Sequence, residues 1–484
     1  MSFISYSSTR GLKNLGSFSD ILLEGLAPDG GLAIPSRYKF FDKNELKDLS
    51  KLSYPELASH VLKCFVDDID IETLKRLCDS AYTPESFGSK EITPLTYLGM
   101  EENTDIFLLE LSNGPTLAFK DIAMQMLGQF FEFVLEKKGS TLNILGATSG
   151  DTGSAAEYAM KDKSKISVFM LSPEGRMSSF QKAQMYSLMD EKIHNLVIPG
   201  TFDICQDLVK GVSSDINFKN KYRIGSVNSI NWGRISSQIV YYFYGYFRAI
   251  EKTGNPFMSP VSFSVPSGNF GNILSGYTAK KMGLPIQNLV LATNENDVLD
   301  EFFKTGAYRV RGLSETFKTS SPSMDISKAS NFERFIYDVV DNDFERVCSL
   351  WKQLNLQGNF LIDDVESIRN IKKSGIVSGS SNHQNRLETI KNVKEQYSRI
   401  IDPHTADGLF VARKNLKPEI PMICLETALP VKFAETVFES LGNIPQTPLK
   451  FIDVEKKPQK IKNIEANVES LKSYIKEEIE KNDS

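Results

Sequence analysis

Cysteine and histidine are scarce in this chain, which has five cysteines and four histidines among 484 residues. The cysteines are scattered, odd in number and form no CxxC pair, so the sequence predicts a reducing compartment without disulfides or structural zinc. The isolated histidines give little support to a metal centre or a Ser/His/Asp triad. We therefore expect no metal and look for the chemistry of this chain in other groups.

Long apolar runs and a strong net charge are also missing. The longest apolar stretch, Ile122–Leu135, is interrupted by two glutamines and a glutamate, which predicts a buried helix rather than a membrane span. The first residues contain no apolar segment of signal-peptide length. The formal net charge of −5 argues against nucleic acid or an anionic membrane as a partner. We expect a cytoplasmic protein that acts on a small molecule.

Short apolar runs alternate with helix-length amphipathic segments over most of the chain. The clearest predicted strands are Leu142–Ala147, Ile166–Leu171, Val261–Val265 and Leu289–Thr293. Strands joined through helices form parallel sheets that are covered on both faces. The sequence therefore predicts the α/β class.

The length of the chain predicts more than one domain. We divide it into a mostly helical N-terminal domain at 1–95, a catalytic domain at 96–433 with a smaller subdomain at roughly 140–240, and an extension at 434–484. The extension is expected to pack on the larger subdomain, and its charged tail is expected to form a helix with Leu471 and Ile475 on the buried face. The segment Lys372–Asn385, rich in Lys, Gly and Ser, is expected to be a surface connection.

Two glycine-rich turns each join a predicted strand to a predicted helix. GATSGDTG runs from Gly146 to Gly153, and PSGNFGN runs from Pro266 to Asn272. Glycines allow a close approach of the backbone to a ligand, and the start of a helix offers unpaired N–H groups and a partial positive charge. Either turn alone could be an ordinary connection, but two in one α/β unit indicate an anionic ligand. Neither matches the dinucleotide or P-loop pattern.

Lys120 lies between a predicted strand and the long apolar helix, flanked by Phe119 and Ile122. A lysine at a helix start is most often a solvated surface charge. Burial would lower its pKa and make it a good imine-forming amine. The two turns for anionic ligands favour this catalytic interpretation.

Four segments together resemble the signatures of the threonine synthase family: SNGPTLAFKD at 112–121, GATSGDTGSAA at 146–156, VPSGNFGN at 265–272 and IDPHTADG at 401–408. Further matches at 8–11, 25–32, 228–235 and 323–326 extend the resemblance, in order, from the first residues to about position 433. This family belongs to the fold-type II pyridoxal-phosphate (PLP) enzymes. The resemblance implies a tryptophan synthase β-like fold with two parallel-sheet αβα subdomains and a mostly helical N-terminal domain.

The resemblance also implies roles for residues around the cofactor. Lys120 matches the Schiff-base lysine, and Thr405 matches the hydroxyl that hydrogen-bonds to the pyridine nitrogen. The cofactor phosphate is expected at Gly268, Asn269, Phe270, Gly271 and Asn272. Because Thr405 is a neutral partner, we expect the ring nitrogen to remain largely unprotonated.

For the substrate, the predicted binding residues are Asn113, Ser149, Asp151, Thr152, Asn231 and Arg234. The hydroxyls of Ser149 and Thr152 are expected to bind its α-carboxylate or terminal phosphate. A guanidinium suits phosphate, so Arg234 is a candidate for that group, with an ordinary helix-surface arginine as an equal alternative. Arg10 is a weaker candidate, and His404 is expected to orient its loop by hydrogen bonding.

Three positions depart from the family pattern. Ala33 and Leu429 stand where the family has Tyr and His, and Asn272 stands where an Asp is common. Lys432 and Phe433, which follow Leu429, match the pattern.

The resemblance implies the last step of threonine biosynthesis, in which O-phospho-L-homoserine and water give L-threonine and phosphate. Two alternatives stay open. With the same cofactor, the chain would be a phospho-lyase or a serine/threonine dehydratase that releases a 2-oxo acid. As a non-enzyme, it would be an inactive sensor of a phosphorylated amino acid. A monomer or homodimer is expected.

Overall fold

The computed structural model describes residues 4–175, 177–312 and 314–482. Its strands are β1 Tyr6–Ser8, β2 Ala33–Pro35, β3 Leu95–Glu101, β4 Thr104–Leu109, β5 Leu142–Ala147, β6 Ile166–Pro173, β7 Ile193–Ile198, β8 Ile224–Gly225, β9 Val261–Pro266, β10 Ile286–Thr293, β11 Ala307–Arg309, β12 Asn359–Leu361, β13 Ile376–Ser380, β14 Met422–Leu425 and β15 Lys462–Asn463.

Helices account for most of the remaining regular structure. They are α1 Phe18–Glu24, α2 Lys43–Leu49, α3 Tyr54–Lys63, α4 Ile71–Ala81, α5 Pro84–Phe87, α6 Lys120–Lys138, α7 Asp151–Met160, α8 Ser179–Tyr186, α9 Phe202–Ser214, α10 Ile216–Lys221, α11 Trp232–Thr253, α12 Gly271–Lys281, α13 Val298–Thr305, α14 Phe332–Val339, α15 Phe344–Gln357, α16 Val365–Lys373, α17 His383–Tyr397, α18 Pro403–Arg413, α19 Ala434–Leu441 and α20 Val468–Asn482.

Two sheets organise the fold. The larger has the order β13-β10-β9-β14-β4-β3 and is parallel except for β3, which runs antiparallel to β4. The smaller, β15-β7-β6-β5-β8, is parallel throughout. The central strands are mainly apolar and almost wholly buried because helices cover both faces. The expected α/β class is confirmed.

The carboxyl ends of the parallel strands position the functional residues. The loops that follow β4, β5 and β9 contain three of the motif segments, and the fourth, at 401–408, opens α18. Ligands of open α/β sheets bind beyond the carboxyl ends of the strands, where backbone N–H groups of the following helices are unpaired. The fold thus collects these segments at one place between the two sheets.

The N-terminal segment packs its helices on α6 and α11. Phe18 contacts Phe130 with ring centroids 5.0 Å apart, and Phe65 contacts Trp232 at 5.5 Å. These edge-to-face contacts bury large aromatic surfaces. No helix in the described ranges is long and apolar enough to cross a membrane.

Two predictions about local structure were wrong. Lys372–Asn385 is not a surface connection, because it contains β13, which pairs with β10 at the edge of the larger sheet. Its serine and glycine residues are mostly half-buried, and the strand is held in the sheet by backbone pairing. Its sequence therefore shows little hydrophobic pattern. The segment 434–484 was expected to pack on the larger subdomain. Of its two helices, only α19 does so, and it packs against α17.

The last part of the chain crosses to the smaller sheet. β15 pairs with β7, and Leu471 and Ile475 of α20 pack with Phe169 against this sheet and α9. The apolar face of α20 was predicted, but the surface that it covers depends on where the preceding loop leads the chain.

Candidate active site

Lys120 is the first residue of α6 and lies inside the molecule, with 14% of its side chain exposed. Its Nζ is 3.7 Å from Oδ2 of Asp151. Burial lowers the pKa of Lys120, and the positive charges of Arg234 and Lys432 lower it further. A lowered pKa increases the fraction of neutral amine, which is the nucleophilic and basic form.

Asp151, the first residue of α7, is the main anion of the site. Lys432 Nζ and Gln181 Nε2 each lie 3.0 Å from its Oδ1, and Ser323 Oγ donates to Oδ2 over 3.1 Å. Despite burial, which opposes ionisation, the nearby Lys432 and Lys120 hold the pKa of Asp151 well below its usual range. Asp151 was predicted to bind substrate, but its oxygens already accept from protein groups.

Lys432 is completely buried and uses its ammonium protons within the protein. Besides Asp151, it donates to the carbonyl oxygen of Thr116 over 2.8 Å and to Oε1 of Gln184 over 3.0 Å. Sequence reasoning noted the match at Lys432 but assigned it no role. The contact joins residues 281 positions apart, so no local pattern could reveal it.

The conformation of the turn from 148 to 153 is fixed by hydrogen bonds within the turn. Thr148 Oγ1 accepts from the backbone N–H groups of Gly150 at 2.9 Å and Gly153 at 2.8 Å. Gly150 has φ +135°, and a Cβ there would lie 2.8 Å from the Gln181 amide. Ser149 is exposed and Thr152 is half-buried at the start of α7. Both residues are thus at least partly accessible at the start of this helix.

The turn from 267 to 272 leads into α12. A Cβ on Gly268 would lie 2.9 Å from the carbonyl oxygen of Ser323, so only glycine allows the two backbones to approach. Phe270 has φ +62° and caps the helix, whose first N–H groups have no partner within the helix. Ser267 Oγ is buried and has no hydrogen-bond partner among the described residues. This cradle suits a phosphate.

Two asparagines of this turn are held by protein groups. The backbone N–H of Asn331 donates to the carbonyl oxygen of Asn269 over 3.1 Å. Asn272 Oδ1 accepts from the hydroxyls of Tyr241 at 2.6 Å and Tyr242 at 2.8 Å. The side chain of Asn272 thus anchors the helix start, and its backbone N–H is the group available to a ligand.

Arg234 is buried in the first turn of α11, so the alternative of a surface arginine was wrong. One of its nitrogens donates to the carbonyl oxygen of Val227 over 2.9 Å, whereas Nε has no hydrogen-bond partner among the described residues. Burial lowers its pKa to about 10. A buried cation without an anion is costly, so this site suits an anionic ligand.

Three other predicted residues have hydrogen-bond partners within the protein. Asn231 caps α11, accepting from Gly233 and donating to the carbonyl oxygen of Leu22 over 2.8 Å, so its side chain is not free to bind substrate. Arg10 is neutralised by two hydrogen bonds to Glu333. Asn113 is half-buried and donates to Glu110 over 3.2 Å.

Thr405 lies in the first turn of α18, buried beside the N-cap Asp402. Its hydroxyl donates to Oδ2 of Asp402 and accepts from the backbone N–H of Thr427 over 3.0 Å. His404 bonds to Asp402 through Nδ1 at 2.9 Å and accepts from the backbone N–H of Ser323 through Nε2 at 3.1 Å. His404 therefore orients this loop, as predicted.

A closed series of contacts links these elements, and we call it the contact ring. The backbone N–H of Phe119 donates to the carbonyl oxygen of Thr427 over 2.9 Å, which connects the Lys120 loop to Thr405. The other links, described above, are Lys120 to Asp151, Asp151 to Ser323, Ser323 to His404, and Thr405 to Thr427. The contact ring consists of Phe119, Lys120, Asp151, Ser323, His404, Thr405 and Thr427.

The residues around the contact ring fit pyridoxal phosphate. The amine of Lys120 suits its aldehyde, the turn at 267–272 suits its phosphate, and Thr405 offers a hydrogen-bonding group to its ring. In contrast, no group of three or more His, Cys, Asp or Glu side chains in the described ranges is placed to hold a metal ion.

Three family profiles match the chain. "Threonine synthase N terminus" covers residues 5–82, "Pyridoxal-phosphate dependent enzyme" covers 86–355, and "Threonine synthase, C-terminal" covers 405–475. Among similar proteins, a threonine synthase of Methylobacillus glycogenes is 51% identical over 98% of this chain and 100% of its own. One of Corynebacterium glutamicum is 50% identical over 97% and 98%.

Solved structures agree with these matches. The PLP-bound threonine synthase from Brucella melitensis superposes with a TM-score of 0.91 and 39% identity, covering 98% of this chain and 99% of the other. The yeast threonine synthase gives a TM-score of 0.91 and 38% identity over the same shares.

Proposed function

The chain belongs to the threonine synthase family of pyridoxal-phosphate-dependent enzymes, and we propose that it converts O-phospho-L-homoserine and water into L-threonine and phosphate at the contact ring. The observation that carries this proposal is the charge pattern of the site. Two buried cations, Lys432 and Arg234, act on the largely buried Lys120, and one strongly ionised carboxylate, Asp151, lies between Lys120 and Lys432. The excess positive charge suits a substrate with a carboxylate and a phosphate.

The cofactor is pyridoxal phosphate, which when bound supplies an electron sink for the carbanion formed at the substrate α-carbon. Lys120 would hold it covalently. The N–H groups at the start of α12, within Gly268–Asn272, and the adjacent Ser267 hydroxyl would bind its phosphate. Thr405 would offer a hydrogen-bonding group to its ring nitrogen.

Substrate binding uses the hydroxyls and the unpaired guanidinium. Ser149 and Thr152, at the start of α7, bind the α-carboxylate. Arg234 binds the substrate phosphate, since its Nε lacks a protein partner. Asp151 does not touch the substrate in this scheme; it holds the turn in place and balances the charge of Lys120.

Lys120 performs the acid–base work. Its pKa is lowered, which increases the fraction of neutral amine that can remove the α-proton. A second proton leaves Cβ and the bond from Cγ to the phosphate oxygen breaks. Of the two released protons, one would be returned to Cγ through Lys120 and the other would go to the departing phosphate. Water then adds its oxygen to Cβ and a proton to Cα, which gives threonine and inorganic phosphate. Exclusion of bulk water by the buried contact ring protects this sequence.

The test is to identify the products that the purified protein forms from O-phospho-L-homoserine. Equimolar threonine and phosphate are expected. Phosphate with 2-oxobutyrate in place of threonine would show a phospho-lyase, and the absence of any turnover in the cofactor-loaded protein would favour a sensor.

We further propose that the protein acts in the cytoplasm as a monomer or homodimer, without nucleic acid. The net charge of −5 and the five scattered thiols support this. Light scattering on a size-exclusion column measures the state directly, and a larger assembly would contradict the proposal.

A further inference from the structure

Arg399 joins the ends of two neighbouring parallel strands. It lies in the loop between α17 and α18. One terminal nitrogen of its guanidinium donates to Oε1 of Glu110 over 2.7 Å, and the other donates to Oε1 of Glu426 over 3.0 Å. Glu110 directly follows β4, and Glu426 directly follows β14, which pairs with β4. Arg399 therefore bridges two acidic side chains at the carboxyl ends of these strands.

The two carboxyl groups depend on this cation. The side chain of Glu426 is 1% exposed and that of Glu110 is 15% exposed. Burial raises the pKa of Glu426 to about 7, and the negative charge of Glu110 acts in the same direction, whereas Arg399 opposes the rise. Within the described ranges, Arg399 is the cation that forms an ion pair with each of them. Without it, two buried acidic groups would face each other unneutralised, which is costly.

Each carboxyl group holds one residue at the start of the segment that leads to Lys120. We call residues 112–119 the Lys120 loop. The hydroxyl of Ser112 donates to Oε2 of Glu426. The amide of Asn113 donates to Oε2 of Glu110 over 3.2 Å. The first two residues of the Lys120 loop are thus attached to the two groups that Arg399 holds together.

The other end of the Lys120 loop is attached to the residues that follow Glu426. The backbone N–H of Phe119 donates to the carbonyl oxygen of Thr427 over 2.9 Å, and the backbone N–H of Leu429 donates to the carbonyl oxygen of Leu117 over 3.0 Å. The segments 117–119 and 427–429 therefore run antiparallel for a short distance. Since Phe119 immediately precedes Lys120, both ends of the loop depend on where Glu426 lies.

We propose that Arg399 is a positioning residue for Lys120, because it holds Glu110 and Glu426 together and these fix both ends of the Lys120 loop. The inference rests on the proposed function, which assigns the covalent and acid–base work to Lys120. The contribution of Arg399 is geometric, since it acts through the loop. A displacement of about 1 Å at a reacting group can cost about 100-fold in rate.

The direct test is amide hydrogen exchange, followed by mass spectrometry of the peptide that spans 112–121, in the full-length protein with and without pyridoxal phosphate. Arg399→Met removes the charge and both hydrogen bonds. Exchange in this peptide is expected to become faster by about tenfold or more, because the carboxyl groups lose their shared partner and the loop opens more often. Unchanged exchange in Arg399→Met would overturn the inference.

Arg413→Met is the matched control. Arg413 is 20% exposed, close to the 27% of Arg399, and its guanidinium donates twice to Glu101 at 2.7 and 2.9 Å. Glu101 ends β3 opposite Thr104, the first residue of β4, so this pair lies at the other edge of the sheet. Its loss is expected to leave exchange at 112–121 unchanged. Equal acceleration in both variants would show a general loss of stability and contradict the role of Arg399.

Two kinetic readouts follow from a misplaced amine. Capture of pyridoxal phosphate by the apoprotein, measured by visible absorption, is expected to slow by about 10- to 100-fold in Arg399→Met, and kcat is expected to fall by a similar factor. The KM for O-phospho-L-homoserine is expected to stay near the wild-type value, because the proposed substrate groups lie on other elements. Arg399→Lys keeps the charge without the fork and is expected to recover part of both rates. A rise in KM alone, with normal capture, would contradict the inference.

These readouts separate the inference from the proposed function. Wild-type protein that captures the cofactor but forms no threonine would refute the proposed function, and capture and exchange would still decide on Arg399. Normal turnover with unchanged exchange in Arg399→Met would refute only the inference. If Arg399→Met does not fold, Ser112→Ala replaces it, since this variant keeps both ion pairs and removes one attachment of the loop. Its exchange at 112–121 is expected to accelerate, and an unchanged rate would count against the inference.

Discussion

The carboxylate of Asp151 lies 3.0 Å from the ammonium of Lys432, and neither side chain is more than 2% exposed. The pair joins the start of α7, beside the smaller sheet, to the segment after β14 in the larger sheet. A buried ion pair contributes little net stability but is costly to break on one side. In this site the pair keeps Asp151 ionised, and the positive charge of Lys432 neutralises most of the negative charge of Asp151.

Replacing Lys432 tests this view. Lys432→Met removes a positive charge that lowers the pKa of Lys120 and frees Asp151 to pair with Lys120. Both changes favour the charged amine, so the pKa of Lys120 should rise. The rate at which apoprotein captures pyridoxal phosphate, measured against pH, reports the neutral amine, and its midpoint should move to higher pH.

The matched control is Lys456→Met, whose side chain is 80% exposed and pairs only with a neighbour on its own turn. Its capture profile should equal that of the wild type. An unchanged midpoint in Lys432→Met would show that Lys432 has no electrostatic influence on Lys120.

Lys120→Ala should abolish covalent attachment of the cofactor together with turnover. Loss of a general base alone costs about 10²- to 10⁴-fold in rate, and the loss of attachment adds to this. Visible absorption of the reconstituted protein and phosphate release are the measurements. Lys137→Ala, on the exposed face of the same helix, should behave as the wild type. Retained absorption in Lys120→Ala would move the attachment site elsewhere.

We expect Arg234 to lower the free energy of unfolding of the protein when no ligand is bound. It is buried with an unpartnered Nε, so Arg234→Met should raise the melting temperature without ligand, by the equivalent of about 1 kcal/mol or more. The same variant should raise the KM for O-phospho-L-homoserine, and inorganic phosphate should no longer protect it against heat.

Arg334 provides a sharp contrast. It is equally buried, but its guanidinium donates to Ala33, Asn331 and Ile230 at 2.6–2.9 Å. Arg334→Met leaves these acceptors unpaired and should lower the melting temperature. A fall in the melting temperature of both variants would show that Arg234 is a structural residue.

Gly268→Ala should weaken cofactor binding. The added methyl meets the Ser323 carbonyl oxygen at 2.9 Å, and backbone atoms yield only at a cost of about 1–3 kcal/mol. The expected result is a lower cofactor affinity, measured by dialysis and absorbance. Gly312→Ala, where a methyl meets one carboxylate oxygen at 3.9 Å, is the control and should change nothing. Equal affinities in both variants would refute the close packing of this turn.

Local patterns predicted the individual elements well. Leu142–Ala147 was predicted with the bounds that the structure has. Strand β13 was missed because its serine and glycine residues give little hydrophobic pattern, and its pairing with β10 depends on backbone hydrogen bonds. The packing of α20 was misplaced because an apolar face does not specify its partner.

The sequence by itself determined the α/β class, the two turns at helix starts and Lys120, because strand and helix periods and the unpaired N–H groups of a helix are properties of short segments. The tertiary structure alone decided the burial of Arg234, the partners of Asp151 and the direction of the Thr405 hydrogen bond. Asp402 is only three residues from Thr405, yet the Thr405 hydroxyl also accepts from the backbone N–H of Thr427, which is distant in the chain. Only packing brings such groups together.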